Sequence, residues 1–261
     1  MRRFLFPLLG IFLLFTGCAA QPPATDTVVQ VSTIDALLAG VYDGEFSADS
    51  LMQYGGFGLG TFTALDGEMV VFEGELYQVK ADGKVYRPAP SIKTPFATVC
   101  QFAPEQSLAL PAQSDMAAVE ALIDEQAPNQ NLFYAIQITG RFRYMKTRSV
   151  PAQQKPYPPL DEVSENQPEF EMENVSGVIV GFRCPPYTEG INVPGYHFHF
   201  LSDDRTQGGH ILGFEIDEAR CEIDVLHQYV LKLPTQTREF AETDLTQDRS
   251  EALYRVEKDQ E

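Results

Sequence analysis

Residues 195–216 read GYHFHFLSDDRTQGGHILGFEI. Over 196–201 aromatic residues alternate with histidine, the period of two that marks a strand with one face on a core. His197 and His199 are two apart, so a strand points both imidazoles to one face and Phe198 to the other. Residues 202–209 hold Ser, Asp, Thr and Gly, which turn the chain back. His210 then opens the next apolar stretch. Paired as a hairpin, the two stretches set His210 across from the end of the first, and three imidazoles converge.

Three neutral nitrogen ligands with one vacant position mark a catalytic zinc site rather than a closed structural one. Imidazole also suits iron, copper, nickel and manganese, so these residues alone leave the metal open. An HxH pair by itself is commonly surface or half-buried histidine. The third histidine after a turn of suitable length, in a chain with four in all, favours metal binding. His227 has no partner at metal spacing and reads as structural.

Outward from the hairpin, strand signals dominate. Residues 69–72 and 76–79 are apolar and β-prone, with Glu73-Gly74 between them as a turn, and Asp82-Gly83 is a second hairpin signal before Val85 and Tyr86. Residues 94–102 form another short strand, and 131–150 a long strand or hairpin. There Phe133, Ala135 and Gln137 share one face, and Tyr134, Ile136 and Ile138 the other. The second half predicts strands at 175–183, 196–201, 210–216, 222–226 and 228–233. Helices are few. One follows a Ser32 or Thr33 cap, with Ile34, Leu37 and Leu38 as its apolar face and Gly40 ending it; another spans 114–126 with a serine cap. A weak helix falls at 251–257. The glycine-rich YGGFGLG of 54–60 lacks the Lys-Ser/Thr of a phosphate loop and reads as close backbone packing. Residues 151–168, with five prolines, predict a linker or surface arm.

The residues predict a β-rich chain with few helices, on two sheets divided near residue 150. The boundaries are 32–150 for the N-terminal domain and 151–261 for the C-terminal metal-binding domain and tail. Ahead of them, Arg2, Arg3 and the apolar run to Phe15 read as an export signal over 1–17, too short to span a bilayer. Thr16-Gly17-Cys18 resembles a bacterial lipoprotein signal, with Cys18 as the lipid-anchored residue, although Phe15 stands where a smaller aliphatic residue is usual. Residues 18–31 are then a tether. This predicts an exported protein, periplasmic and membrane-anchored or secreted. Plain secretory cleavage and an uncleaved anchor are the alternatives. Cys100, Cys184 and Cys221 remain, an odd number, so at least one is a free thiol or pairs between chains; burial as small apolar residues is the other reading. The formal net charge of −18 excludes nucleic acid as a natural partner and obliges any anionic substrate to find a local cation.

Across nearly the whole mature length the chain resembles the α-acetolactate decarboxylases. The matching stretches are STIDALLAGVYDG, GLGTFTALDGEM, KTPFA, FYAIQITGRFRYMKTRSVP, KPYPPLDEV, NVSGVIVGF, NVPGYHFHFLSDDRTQGGH and DLTQ. Each is weak alone; their order and spacing are specific. The resemblance implies zinc on His197, His199 and His210, and Glu68 near the metal as ligand or proton carrier. It implies Arg148 from the KxRxVP stretch and Thr61 in the pocket. It implies Glu257 as a tail carboxylate if no gap follows DLTQ, with Glu251 as the fallback. It implies the fold class α/β, β-rich, with two domains each on a mixed or antiparallel sheet and the metal site on the C-terminal sheet. It also implies a homodimer built through the N-terminal sheet. The implied substrate is a small 2-hydroxy-3-keto acid, 2-acetolactate, converted to acetoin and CO2. The metal acts as a Lewis acid on the resulting enediolate. Arg148 holds the carboxylate or directs a proton, and a buried carboxyl delivers one. A metal-dependent hydrolase, a cupin-like oxygenase, or an exported metal-binding protein without catalysis are the competing readings. The last gains if neither Glu68 nor Arg148 approaches the metal.

Overall fold

The computed structural model describes residues 25–257. The export signal, Cys18 and the first part of the expected tether lie outside the described residues. The rest of the tether is corrected: Thr27–Val31 is strand β1, buried along its whole length inside a sheet. Its sequence, TVVQV, is β-branched at four of its five positions and suits that place.

In chain order the other strands are β2 (Phe46–Ser47), β3 (Phe57–Thr61), β4 (Glu68–Phe72), β5 (Glu75–Val79), β6 (Val85–Tyr86), β7 (Lys93–Thr94), β8 (Ala97–Cys100), β9 (Gln106–Leu110), β10 (Phe133–Arg148), β11 (Glu169–Cys184), β12 (Gly195–Ser202), β13 (Gly208–Leu226) and β14 (Gln228–Lys232). The helices are α1 (Ile34–Leu38), α2 (Ala48–Leu51), α3 (Met116–Gln126), α4 (Leu160–Ser164), α5 (Arg238–Glu242) and α6 (Ser250–Glu257). No helix of the described residues is long and apolar enough to cross a membrane.

A seven-stranded sheet runs β14-β1-β8-β3-β4-β5-β6. It is mixed, because β1 and β14 are parallel and its other pairs antiparallel. A five-stranded antiparallel sheet runs β10-β11-β12-β13-β9 and closes on itself, since β10 also pairs with β13. The segments do not divide between the sheets at residue 150. β9 and β10 belong to the five-stranded sheet, and β14 returns to the seven-stranded one. The stretches 210–216 and 222–226, expected as separate strands, are one 19-residue ladder broken only by bulges. Polar residues between them do not end a strand whose neighbours continue on both sides.

The two sheets pack face to face. Phe57, Leu59, Val70 and Phe72 from one meet Phe133, Ala135, Val180 and Phe182 from the other. Tyr134, Ile136 and Ile138, on the opposite face of β10, join Val119 and Ile123 of α3 in a second core. Each fully buried side chain of this size contributes about 1.5–3 kcal/mol. The glycine-rich stretch before β4 serves close packing: a Cβ on Gly58 would stand 2.3 Å from the Thr98 carbonyl oxygen on β8. The caps follow sequence with one correction. Thr33 caps α1 by accepting from the Ala36 amide at 3.2 Å. The cap of α3 is Asp115, not Ser114, its carboxylate accepting from Ala118 at 2.9 Å. Cys100, Cys184 and Cys221 are all free and buried, the apolar-filler reading rather than a disulfide.

The proline-rich arm is more than a linker. Residues of α1, α4 and α6 build a third cluster, with Leu37, Leu160, Val163, Leu253 and Val256 packed together. This helical layer lies over the junction of the two sheets and roofs a cavity there.

Candidate metal centre and active site

The hairpin forms as the sequence predicts. β12 and β13 pair antiparallel with His199 directly opposite His210, and His197 lies two residues back on the same face. Phe198 points into the core behind. The turn before His210 requires its glycine. Gly209 has φ +132, and a Cβ there would meet the Arg148 carbonyl oxygen at 2.5 Å. On the other side of His210 the ladder partner is Arg148, the last residue of β10. Register alone therefore places three imidazoles and one guanidinium together.

The ring centroids lie 5.0–5.4 Å apart, and one nitrogen from each ring falls within 4.8 Å of the others. His199 Nδ1 sits 2.8 Å from the Met69 carbonyl oxygen on β4. A carbonyl only accepts, so Nδ1 carries the proton and Nε2 presents its lone pair. That Nε2 is buried and has no hydrogen-bond partner among the described residues; the same holds for His197 Nδ1. An orphaned buried polar atom costs roughly 1–3 kcal/mol. A divalent cation held between the rings removes that cost. All three imidazoles are held neutral, the form that ligates metal. Burial, helped by Arg148, pushes His197 down to about 3. Burial also pushes His199 well below its ordinary value, with His197 adding to the effect. His210 is lowered in the same direction, by burial first and then by Arg148 and the other two rings.

The remaining residues expected from sequence meet the same cavity, which holds about 500 Å³ of free space including its mouth. Glu68, first residue of β4, brings Oε2 to 3.6 Å from His199 Nε2. Burial pushes its carboxyl up to about 7, although Arg148 and the Val150 amide pull the other way. Arg148 is only 4% exposed. It is the cation that a chain of net charge −18 must place locally to receive an anion. Glu257, at the end of α6, brings Oε2 to 3.8 Å from His210 Nε2. The ungapped tail alignment therefore selects the residue that reaches the cluster. Glu251 instead pairs with Arg255 on the helix exterior. Thr61 lines the cavity opposite Glu68 in the β3–β4 ladder and donates its hydroxyl proton to the Gly67 carbonyl at 2.8 Å. His227 lies between β13 and β14, exposed and away from the cluster.

Sequence reasoning missed the roof. Leu160, Ser164 and Gln167 of the proline-rich arm line the cavity with Val256, Ile34 and Leu37. The available signal was Pro159 ahead of an acidic first turn, Asp161 and Glu162, which marks a helix start. Glu68 and Arg148 both face the imidazoles, an arrangement that a protein merely storing a metal has no need of.

The family model described as alpha-acetolactate decarboxylase matches residues 28–247. An alpha-acetolactate decarboxylase of Methanosarcina mazei is 44% identical over 90% of this chain and 81% of its own length. One from Methylococcus capsulatus is 46% identical over 88% of each. The crystal structure of the alpha-acetolactate decarboxylase of Bacillus subtilis strain 168 superposes with a TM-score of 0.87 at 37% identity, covering 89% of this chain and all of that one. Sequence order, fold and full-length coverage agree, and the chain belongs to the alpha-acetolactate decarboxylase family of carboxy-lyases.

Proposed function

We propose that this protein converts 2-acetolactate (2-hydroxy-2-methyl-3-oxobutanoate) to acetoin and CO2 at the cavity between the sheets, with zinc as its metal. The observation that carries the reading is the convergence of His197, His199, His210, Arg148, Glu68 and Glu257 on one small cavity. It stands in a chain whose relatives bear that enzyme's name.

His197, His199 and His210 would hold the metal, on the five-stranded sheet. When bound, a divalent cation would supply Lewis acidity to the substrate as its carboxylate leaves. Arg148 pairs with the substrate carboxylate through its planar fork and so orients the bond to be broken. Loss of CO2 leaves a carbanion that needs a proton. Glu257 and Glu68 are the carboxyls within reach, and burial favours the protonated form of Glu68. Leu160, Val256 and the rest of the apolar roof exclude water, which strengthens every charge interaction beneath it. Thr61 fixes the turn that carries Glu68.

The test is the purified chain, stripped with a chelator and reloaded with zinc, offered acetolactate. Acetoin and CO2 are expected in equal amounts, lost on stripping and restored by zinc. Unchanged acetolactate in the presence of the zinc-loaded protein sinks the reading. Export with acylation at Cys18, and a homodimer formed through the seven-stranded sheet, belong to the same proposal. Mass spectrometry of the mature N-terminus and light scattering of the soluble chain test those two parts.

A further inference from the structure

A second group of oxygen donors sits near the opposite end of the 19-residue β13 from His210. Asp26 immediately precedes β1, Glu105 immediately precedes β9, and Asp224 lies on β13. One carboxylate oxygen from each falls within 4.8 Å of the others. Carboxylates at that spacing repel unless a positive charge lies among them. None of the three pairs with a basic side chain of the described residues.

Two of the carboxylates are held in place by backbone. Glu105 Oε2 accepts from the Val225 amide at 2.9 Å, and Asp224 Oδ2 accepts from the Ala103 amide at 2.8 Å. The Asp26 carbonyl accepts from both His227 and Gln228, at 3.1 and 3.0 Å. The independent sign of a ligand is Asp224 itself. It is 0% exposed, and its Oδ1 has no hydrogen-bond partner among the described residues. A fully buried carboxylate oxygen with nothing to bind is unfavourable, and water cannot reach it. The donors are all oxygen, with no imidazole or thiolate in the group, which suits a hard cation that tolerates irregular coordination.

We propose that Asp26, Glu105 and Asp224 form a second, structural cation site that takes Ca2+ rather than Zn2+ and clamps the start of β1 to the five-stranded sheet. The site is separate from the imidazole cluster in position and in ligand chemistry. The ion neutralises the three carboxylates and gives Asp224 Oδ1 its partner. It ties the seven-stranded sheet to its neighbour at the end where the described chain begins.

The experiment uses the full mature chain, loaded with its catalytic metal, desalted into calcium-free buffer and titrated with CaCl2 by calorimetry and thermal melting. One Ca2+ per chain is expected, with the melting temperature raised by roughly 4 °C at ten times the dissociation constant. Asp224→Asn and the more exposed Asp26→Asn should both abolish the binding heat and the shift, while zinc content stays at the wild-type level. Asn at 224 keeps an oxygen for the Ala103 amide, and Asp26→Asn covers the case in which the core variant fails to fold. Absence of binding heat at millimolar calcium in the wild type overturns the proposal and leaves Asp224 as a protonated acid. A calcium response that survives in Asp26→Asn overturns it equally, by assigning the ion to the general acidic surface.

Discussion

The floor and the roof of the cavity are built by different means. The floor is ladder: His199 is paired on one side with Val180 and on the other with His210, His210 with Arg148, and Arg148 with Glu169. Backbone hydrogen bonds fix those positions whatever the side chains do. The roof is three short helices held by side-chain packing and by surface ion pairs such as Arg255 with Asp161. The floor therefore suits groups that need a fixed geometry, such as metal ligands and the carboxylate clamp. The roof suits groups that must yield when substrate enters and product leaves. Glu257, carried by α6, sits on the roof side of that division.

If the contrast holds, floor variants lose the metal or the chemistry outright, and roof variants lose only part of the turnover. The largest effect is expected for His199→Ala, which should abolish stoichiometric zinc and turnover together. Zinc retained at one per chain removes His199 from the ligand set. Next comes Arg148→Ala. It should keep zinc and lose about a thousandfold in kcat/KM, the order of one charge-assisted, transition-state contact in a dry site. Full turnover in that variant would show that the carboxylate is held elsewhere. On the roof, Glu257→Gln should keep zinc and the fold and lose about a hundredfold in kcat, the usual scale for a positioned proton donor. An unaltered kcat would assign the proton to Glu68.

The same contrast explains what could be read from sequence. HxH on an alternating strand, followed by a turn and a third histidine, specifies a face and a register, and those are properties of the ladder. The two faces of β10 were legible for the same reason. Glu68, Thr61, Arg148 and Glu257 entered only by family resemblance, because no local pattern distinguishes a turn glutamate from one that faces a metal. The proline-rich part of the roof is expected from sequence only as a linker or surface arm. A five-residue helix after two prolines has too little periodicity to declare its apolar face, and Leu160 finds its partners on α1 and α6, far away in sequence. The 18–31 tether failed at its end, where the β-branched TVVQV is short and takes its place as β1 between β14 and β8.

Acidification of the metal-free protein separates floor groups from one another. The three imidazoles have native pKa values below the unfolded value of about 6.5, so the unfolded chain binds their protons first and stability falls as pH drops below about 6.5. Each contributes about 1.4 kcal/mol per pH unit. Glu68 and Asp224, raised to about 7 and about 6, act oppositely. Each binds its proton in the native state first, so its stabilisation is present at low pH and fades as pH rises through the native value. Three protons against two leaves these groups with a net loss of stability on acidification between pH 6 and 5. Glu68→Gln deletes one opposing proton, so its loss on acidification should be steeper by about 1.4 kcal/mol per unit, read from urea midpoints. Parallel curves for wild type and variant would mean that Glu68 ionises in the native state as it does in water.

The smallest effect belongs to the roof's surface pair. Arg255 reaches Asp161 at 2.6 Å and Glu251 at 3.1 Å, but its side chain is 46% exposed, so solvent screens both contacts. Arg255→Ala should cost little global stability. Its functional consequence should exceed its structural one, because the Asp161 contact joins α6 to α4 within the roof and Glu257 follows two residues later. KM is expected to rise a few-fold with zinc content unchanged. A variant with wild-type KM and kcat would mean that packing of Leu253 and Val256 alone positions α6, and that the roof is as rigid as the floor.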